Sequence, residues 1–517
     1  MNYRSYTVVK SEGPSDNGGG TEPPNRIVAI SDERRPERSG ETQSGEPMSI
    51  DDRPAPGVAR SPGISFQKLL DTDTHEVPAE LRAESSRYFG SDDLPAERYT
   101  SREWHDKEVA HVWSRVWQFA CREEHLPDVG DYVVYEIARS SFLVVRTAPD
   151  TIKAYWNSCL HRGRQLKDFD GHCDSEIRCP FHGFAWELDG SFKQAPADWD
   201  FSTLADRVEA GEFQLPEVQV ATWQGFVFIN PDLMAEPFEE WAGDGLDHFD
   251  RWDLASRYVE VHVAKVIECN WKISQEAFCE AYHADTTHPH TAKYIGNSNS
   301  QIDVWDNCSR VITPAGTSSP MLPYEVVPDE MLRAMLDIRV DEDTPFEVPE
   351  GDTCRRVAAS KARDRWRPIV GDLADEWSDS EMIDNFDYTV FPNFHPWGSF
   401  NRIVYRFRPN GDDHRTSIME VLLLSPFAGE RPPPAPVHWL GPDEVFTDAP
   451  ELGMLGKIFD QDLANMSKVQ KGLETSRKGA VTMSDYMESK VRWIHHKLDE
   501  WIDAGELATE REVGVEL

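Results

Sequence analysis

Short runs of apolar residues, separated by glycine, proline, aspartate and asparagine, dominate the chain between about Trp117 and Asn230. Three of these runs have the length of a strand, namely Tyr132–Tyr135, Phe142–Val145 and Gly225–Ile229. Runs of about four to eight such residues between turn-forming residues are typical of β-strands. The pattern therefore predicts a small all-β domain.

Helical and strand patterns are mixed in the rest of the chain. Between Arg98 and Trp117, large apolar residues recur at helical spacing, which predicts an amphipathic helix. After residue 230, helical stretches such as Lys272–His283 and Ile458–Leu473 occur together with strands such as Arg402–Phe407. This mixture favours an α+β domain.

These patterns give a domain plan for a chain that is too long for one core. Residues 1–62 are rich in serine, glycine, proline and charge, so we expect a disordered tail there. We expect an N-terminal helical segment of the C-terminal domain over residues 63–116, the β domain over 117–230 and the α+β domain over 231–517.

Charge and hydropathy exclude two classes of partner. The formal net charge of −39 would repel nucleic acid. No run approaches the roughly 18 apolar residues of a membrane span, and Val421–Leu424 has only the length of a buried strand. The first residues resemble neither a secretory signal nor a mitochondrial presequence, so we expect a cytoplasmic protein.

Two of the eight cysteines belong to a metal-binding pattern. Cys159 and His161 form C-x-H, and Cys179 and His182 form C-x-x-H, with 17 residues between His161 and Cys179. A Cys2His2 zinc site has the same ligand types but usually groups them as two Cys and two His. We expect the other cysteines to be structural; they are Cys121, Cys173, Cys269, Cys279, Cys308 and Cys354.

The two motifs with their flanks, C-L-H-R-G and C-P-F-H-G, resemble the loops of a Rieske [2Fe–2S] cluster. The resemblance implies that Cys159 and Cys179 bind one iron and His161 and His182 the other, which raises the reduction potential. Respiratory Rieske proteins carry an extra cysteine in each loop, and this chain does not. The pattern is instead similar to that of ring-hydroxylating and related non-haem iron oxygenases.

A second motif resembles the mononuclear iron site of the same family. Asn270-Trp271-Lys272 is followed by Glu280, His283 and His288, as in N-W-K…[D/E]-x-Y-H-x₄-H. His283 and His288 would lie about 140° apart on an ideal helix, so they converge only if the helix ends between them, as Pro289 favours. His290 is the alternative second ligand, and a surface histidine pair is the alternative to any metal site.

The third ligand of a 2-His-1-carboxylate site should lie far along the chain. Residues 460–466 resemble the late helix that supplies it in the family. Asp462 shares a helix face with Asn465, Met466 and Val469, whereas Asp460 does not, so we choose Asp462. An exposed aspartate near a helix start is the alternative.

The family resemblance implies further roles. The C-terminal domain would be a helix-grip fold, and subunits would form trimers of α or of α with β. Glu280 would link His182 of one subunit to His283 of the next and so pass electrons to the iron. Many relatives have Asp at position 280 and Asn at position 277, where this chain has Ala277. Glu280 is similar to the residue of oxygenases that act on quaternary ammonium compounds.

We therefore predict a terminal oxygenase that uses O₂ and electrons from NAD(P)H, through a reductase or ferredoxin, to hydroxylate an aromatic or polycyclic hydrophobic compound. The alternatives are a monooxygenase or demethylase for an ammonium or methoxy compound, and a non-enzymatic helix-grip carrier with structural zinc. Basic residues around the cluster loops form either a ferredoxin-docking patch or ordinary surface charge; they are Arg162, Arg164, Lys167 and Arg178. Aromatic residues between Phe386 and Phe407 are mostly expected in the sheet core.

Overall fold

The computed structural model describes residues 57–338 and 343–515, with side chains described up to residue 508. The tail expected over residues 1–62 therefore lies outside the described residues as far as residue 56. The end of that segment contacts the C-terminal part of the chain. The backbone N–H of Ser61 donates to Asn299 Oδ1 at 3.1 Å, and Asn299 Nδ2 donates to the Pro62 carbonyl at 3.1 Å.

Short elements precede the β-rich part of the chain. They are α1 (Phe66–Leu70), α2 (Ala79–Arg82), β1 (Leu94–Pro95), α3 (Glu97–Thr100) and α4 (Arg102–Glu108), which continues as a π-helix over Val109–Trp113. The single helix predicted over residues 98–117 is wrong in this respect, because Ser101 divides it. Ser101 has extended backbone angles, and its hydroxyl accepts a hydrogen bond from Trp104 N at 3.3 Å. Serine favours this capping role over the helix interior.

The predicted all-β part is confirmed, with a seven-stranded sheet ordered β2-β11-β10-β5-β4-β3-β6 and a small sheet ordered β7-β8-β9. The three predicted apolar runs lie in β3, β4 and β11. The elements are β2 (Gln118–Arg122), β3 (Asp131–Ile137), β4 (Ser140–Ala148), β5 (Thr151–Trp156), β6 (Gly171–His172), β7 (Glu176–Arg178), β8 (Ala185–Glu187), β9 (Phe192–Gln194), α5 (Leu204–Glu209), β10 (Glu217–Trp223) and β11 (Phe226–Asn230).

The C-terminal part contains a mainly antiparallel sheet of eight strands with helices against it, as the α+β prediction required. Its helices are α6 (Phe238–Ala242), α7 (Trp271–Glu276), α8 (Ala284–Thr287), α9 (Pro328–Met335), α10 (Cys354–Val370), α11 (Asp379–Ile383), α12 (Leu455–Thr475) and α13 (Ser489–Val515). Its strands are β12 (Arg257–Ile267), β13 (Gln301–Val304), β14 (Cys308–Thr313), β15 (Asn385–Val390), β16 (Phe394–Pro396), β17 (Ile403–Asn410), β18 (Asp413–Pro426), β19 (His438–Leu440) and β20 (Ala480–Val481). The sheet order is β13-β14-β15-β16-β17-β18-β12-β19, and β1 pairs with β20.

The long helix α12 packs against this sheet. Phe459 and Met466 of α12 are buried in one core with Tyr405 and Phe407 of β17, and the Phe459 and Tyr405 rings lie 5.8 Å apart. This contact matches the expected arrangement of a helix against a curved sheet. None of the helices in the described ranges is long and apolar enough to cross a bilayer.

Buried polar contacts join the β-rich part to the large sheet. Arg406 of β17 donates to both carboxylate oxygens of Glu420, at 2.6 and 2.7 Å, and its Nη1 reaches the Phe119 carbonyl of β2 at 3.2 Å. Asn393 accepts from Phe119 N at 3.1 Å and donates to the Tyr135 hydroxyl at 3.1 Å. Because these polar groups are buried and paired, they favour one relative placement of β2 and β17.

Candidate metal centres

The two cysteine–histidine loops have the same backbone hydrogen bonds. In the first, Cys159 N donates to the Arg164 carbonyl and Gly163 N to the Cys159 carbonyl, both at 2.8 Å. In the second, Cys179 N donates to the Phe184 carbonyl at 2.8 Å and Gly183 N to the Cys179 carbonyl at 3.0 Å. Both glycines have positive φ, 74° and 77°, which glycine adopts without strain. Each loop thus presents one cysteine and one histidine in the same way.

The four predicted ligands of these loops lie together. The Cys159 and Cys179 thiols are buried and close enough to interact, and the His161 and His182 rings lie 4.7 Å apart. The pKa of the Cys159 thiol is raised, because the effect of burial outweighs that of the backbone N–H groups of His161 and Arg162, whose hydrogen bonds to the sulfur lower this pKa. Such N–H groups also tune sulfur ligands in iron–sulfur sites. This donor set fits a Rieske cluster.

Near α12, three side chains direct one donor atom each to a common point. The Nε2 atoms of His283 and His288 are 3.3 Å apart, and Asp462 Oδ1 lies 3.5 Å from the first and 3.0 Å from the second. With metal–ligand bonds of about 2.1 Å at right angles, donors are separated by about 3 Å. The arrangement therefore fits one face of an octahedral metal ion.

The remaining ring nitrogens are engaged on the far sides. His283 Nδ1 bonds to Glu280 Oε1 at 2.7 Å, and His288 Nδ1 bonds to Gln461 Oε1 at 2.7 Å. An acceptor at Nδ1 requires the proton there and leaves Nε2 free to bind a metal. Gln461 was not predicted from the sequence. Its position next to Asp462 in the sequence would indicate this role only if His288 were already known to face α12.

Glu280 approaches His283 by a turn and not along a helix face. The predicted helix over Lys272–His283 is wrong after Glu276, because the Glu280 carboxylate accepts hydrogen bonds from the backbone N–H groups of Tyr282 and His283. This local side-chain bond competes with helical geometry in the turn that precedes α8. The short helix α8 then ends at Thr287, as convergence of His283 and His288 required.

The electrostatics of the triad favour positive charge. Burial lowers the pKa of His283, but hydrogen bonds with Asp462 and Glu280 outweigh burial and raise this pKa to about 10. Two carboxylates that stabilise a proton on this half-buried imidazole would also stabilise a metal cation at the same position.

The two alternative ligands lie elsewhere. His290 is exposed, and its ring centroid is 6.4 Å from that of His288. Asp460 accepts from Phe446 N at 2.6 Å and from Thr447 at 2.7 Å, so its carboxylate fixes a neighbouring turn. Of these alternatives, neither belongs to the group formed by His283, His288 and Asp462.

A cavity of about 430 Å³ opens beside the triad. Much of its wall is apolar, and Ala277 and Glu280 line it together with the three residues of the triad. Representative wall residues are Phe278, Ile295, Trp397, Ile403, Tyr405 and Phe459. Among the aromatic residues of the stretch 386–407, Trp397 and Tyr405 reach this cavity, whereas Phe386, Tyr388, Phe391 and Phe394 are core residues, as expected.

The basic residues near the cluster loops are partly neutralised. Arg164 pairs with Asp168 at 2.6 Å, and Arg178 pairs with Glu176 at 2.5 Å. Arg162 lies over the exposed Phe181 ring, with 5.5 Å between the guanidinium carbon and the ring centroid. Lys167 Nζ lies 5.0 Å from the centroid of the Tyr132 ring, and among the described residues neither Arg162 nor Lys167 has an ion-pair partner.

Comparison with known families gives matches over most of the described chain. Residues 116–205 match the family model of the Rieske [2Fe-2S] domain, and residues 238–504 match that of the ring hydroxylating alpha subunit (catalytic domain). Biphenyl dioxygenase subunit alpha of Paraburkholderia xenovorans is 28% identical over 37% of this chain and 43% of its own length. The carnitine monooxygenase oxygenase subunit of Escherichia coli K12 is 30% identical over 38% and 52%. The alignments thus span about half or less of these relatives.

Solved structures show the same fold at low identity. The quaternary ammonium Rieske monooxygenase CntA in complex with L-carnitine has a TM-score of 0.54 at 16% identity, over 79% of this chain and 95% of that chain. Naphthalene 1,2-dioxygenase with indole bound has a TM-score of 0.56 at 16% identity, over 81% and 95%. The likeness therefore covers both the β-rich part and the large sheet.

Proposed function

The chain belongs to the family of Rieske-type ring-hydroxylating oxygenase alpha subunits, and on this premise we propose that it is the terminal oxygenase of an electron-transfer chain. The observation that carries the proposal is the convergence of His283, His288 and Asp462 beside an apolar cavity. We propose that these three residues bind a mononuclear iron and leave coordination positions open.

Two metal groups belong to this family. We assign the [2Fe–2S] cluster to Cys159, His161, Cys179 and His182. When bound, the cluster supplies single electrons and the mononuclear iron supplies O₂ activation.

The protein's contribution is orientation and enclosure. Glu280 and Gln461 hold the two imidazole rings of the triad with Nε2 facing Asp462. The apolar wall formed by residues such as Phe278 and Phe459 excludes water from the substrate beside the triad. Both effects restrict the positions that a bound substrate can adopt.

We propose that Glu280 also connects subunits. His182 is exposed and makes no hydrogen bond to Glu280 within the described part of one chain, whereas Glu280 already bonds to His283. A neighbouring subunit that brings its own His182 against Glu280 would join the two sites. This arrangement requires an oligomer, and we propose a homotrimer or an assembly with a β subunit.

Electron delivery would use the surface near the cluster loops. Arg162, on the first cluster loop, is exposed there. In a chain of net charge −39, a local positive group is a candidate docking point for an acidic ferredoxin or a reductase that oxidises NAD(P)H.

The preferred substrate class is an aromatic or polycyclic hydrophobic compound, because the cavity wall is rich in aromatic and aliphatic side chains. A second candidate is a quaternary ammonium or methoxy compound, converted by a monooxygenase or demethylase reaction. It is favoured by Glu280 and by the similarity to a carnitine monooxygenase oxygenase subunit.

The test is turnover of the iron-loaded protein with a surrogate reductase and ferredoxin, NADH and ¹⁸O₂ on a panel of both substrate classes. Oxygenation appears as ¹⁸O in a product, either as one atom or two. A matched His283→Ala variant that retains the cluster should give no labelled product. A colourless zinc protein, as expected of a ligand carrier, would contradict the proposal.

A further inference from the structure

Two residues that line the cavity each have one side-chain hydrogen-bonding atom without a partner among the described residues. Asp387 of β15 and Trp397 pair across neighbouring segments of the sheet, and both line the cavity. Asp387 Oδ1 and Trp397 Nε1 are buried, and neither has a hydrogen-bond partner among the described residues. Because an unpaired buried polar group is costly, such a pair indicates a partner that the chain does not supply.

The charge of Asp387 is already compensated. Lys490 Nζ donates to Asp387 Oδ2 at 2.8 Å and to the Asp387 carbonyl at 3.0 Å, and the lysine side chain is fully buried. Asp387 Oδ1 therefore belongs to an ion pair with no net charge, and this oxygen does not require a second cation. A quaternary ammonium group fits poorly here, since it has no N–H for Oδ1 and no acceptor for the Trp397 indole.

The surroundings of this pair are largely apolar. Phe278 and Tyr405 lie 4.9 Å apart at the cavity wall, and Ile403 and Phe459 line the same space. A volume of about 430 Å³ lies within the usual range of small-molecule pockets, about 300–1,000 Å³. The cavity is thus suited to an apolar body with one polar end.

We propose that the substrate carries, on an apolar ring system, a neutral group that both donates and accepts a hydrogen bond, such as a hydroxyl or carboxamide, and that Asp387 and Trp397 bind this group. The proposal rests on the oxygenase function, since it treats the cavity beside the triad as the substrate site. Binding of this polar group by Asp387 and Trp397 would determine which ring carbon of the substrate faces the triad.

The test measures binding to the oxidised, iron-loaded protein by calorimetry with 2-naphthol, 2-methoxynaphthalene and naphthalene. Only 2-naphthol can both donate and accept. The methoxy compound can only accept, and naphthalene can do neither. We expect 2-naphthol to bind at least tenfold more tightly than naphthalene, with the methoxy compound between them.

The Trp397→Phe variant separates the two contacts. Loss of the indole N–H should weaken 2-naphthol and 2-methoxynaphthalene by about fivefold each and leave naphthalene unchanged. Trp439→Phe, at an exposed position outside this cavity, is the matched control and should change none of the three.

Equal affinities for the three compounds, no measurable binding of any of them, or an unchanged series in Trp397→Phe would each overturn the proposal. These outcomes are separate from failure of the oxygenase function. A protein that binds 2-naphthol selectively but forms no oxygenated product would retain the Asp387–Trp397 site and lose the assigned reaction.

Discussion

Gln461 gives the most specific prediction about the iron site. Its Oε1 lies 2.7 Å from His288 Nδ1, and the His288 side chain is only 7% exposed. Gln461→Leu would leave the Nδ1 proton without its acceptor and the ring without its orientation. Changes to such supporting partners typically lower metal affinity by about 10–100-fold, or about 1.4–2.7 kcal/mol. Because the acceptor is a neutral amide, we expect the lower end, about tenfold.

The assay is dialysis of the holoprotein against ferrous chelators of graded strength, followed by iron and acid-labile sulfide analysis. Sulfide counts the clusters, so iron above the two atoms of each [2Fe-2S] unit reports the mononuclear site. Gln461→Glu keeps an acceptor and should retain wild-type affinity or exceed it. Lys468→Leu, at an exposed position about two turns later on α12, is the control for helix substitution. Equal iron retention in Gln461→Leu and wild type, with both folded, would refute the reasoning.

Three further predictions concern other residues of the described chain. Glu280→Gln should keep both metal groups but suppress coupled turnover, measured as product formed per O₂ consumed. Normal coupling would contradict the proposed role of Glu280 as the bridge between subunits. His288→Ala should lose the mononuclear iron, whereas His290→Ala should retain it, and iron analysis of both variants measures this. If His290→Ala lost the iron and His288→Ala kept it, His290 and not His288 would be the ligand. Burial raises the pKa of Glu381, but hydrogen bonds from Arg251 Nε at 3.0 Å and from Ser378 N at 2.9 Å outweigh burial and lower this pKa to about 2. This stabilisation is present above the ordinary pKa of 4.5 and is lost as the pH falls toward 2. Glu381→Gln should therefore lower the free energy of unfolding at pH 7 by about 3 kcal/mol, with a difference that shrinks in acid; a pH-independent difference would contradict this.

The sequence predicted strands well where apolar runs end in turn-forming residues, as in Phe142–Val145 within β4. It predicted helices less well where a side chain bonds to the backbone. Ser101 and Glu280 both interrupt helices that periodicity extends across them, because each accepts hydrogen bonds from backbone N–H groups. Hydrophobic periodicity contains no information about that competition.

In the candidate site, too, the sequence predicted some residues and missed others. His283, His288 and Asp462 were selected from motifs and helix phase, and the structure brings their donor atoms together. Gln461 was missed because its role depends on which helix faces His288. Asp387 and Trp397 belong to no motif, and only the pairing of two sheet segments places them side by side.

The central claim is that one chain binds both a Rieske cluster and a separate ferrous ion. Mössbauer spectroscopy of the ⁵⁷Fe-enriched protein tests it most directly, because cluster iron and mononuclear high-spin Fe(II) give different spectra. We predict both components, with twice as much iron in the cluster as in the mononuclear site, and loss of only the mononuclear component in Asp462→Ala. A spectrum without the cluster, or a mononuclear component that Asp462→Ala leaves unchanged, would contradict the account.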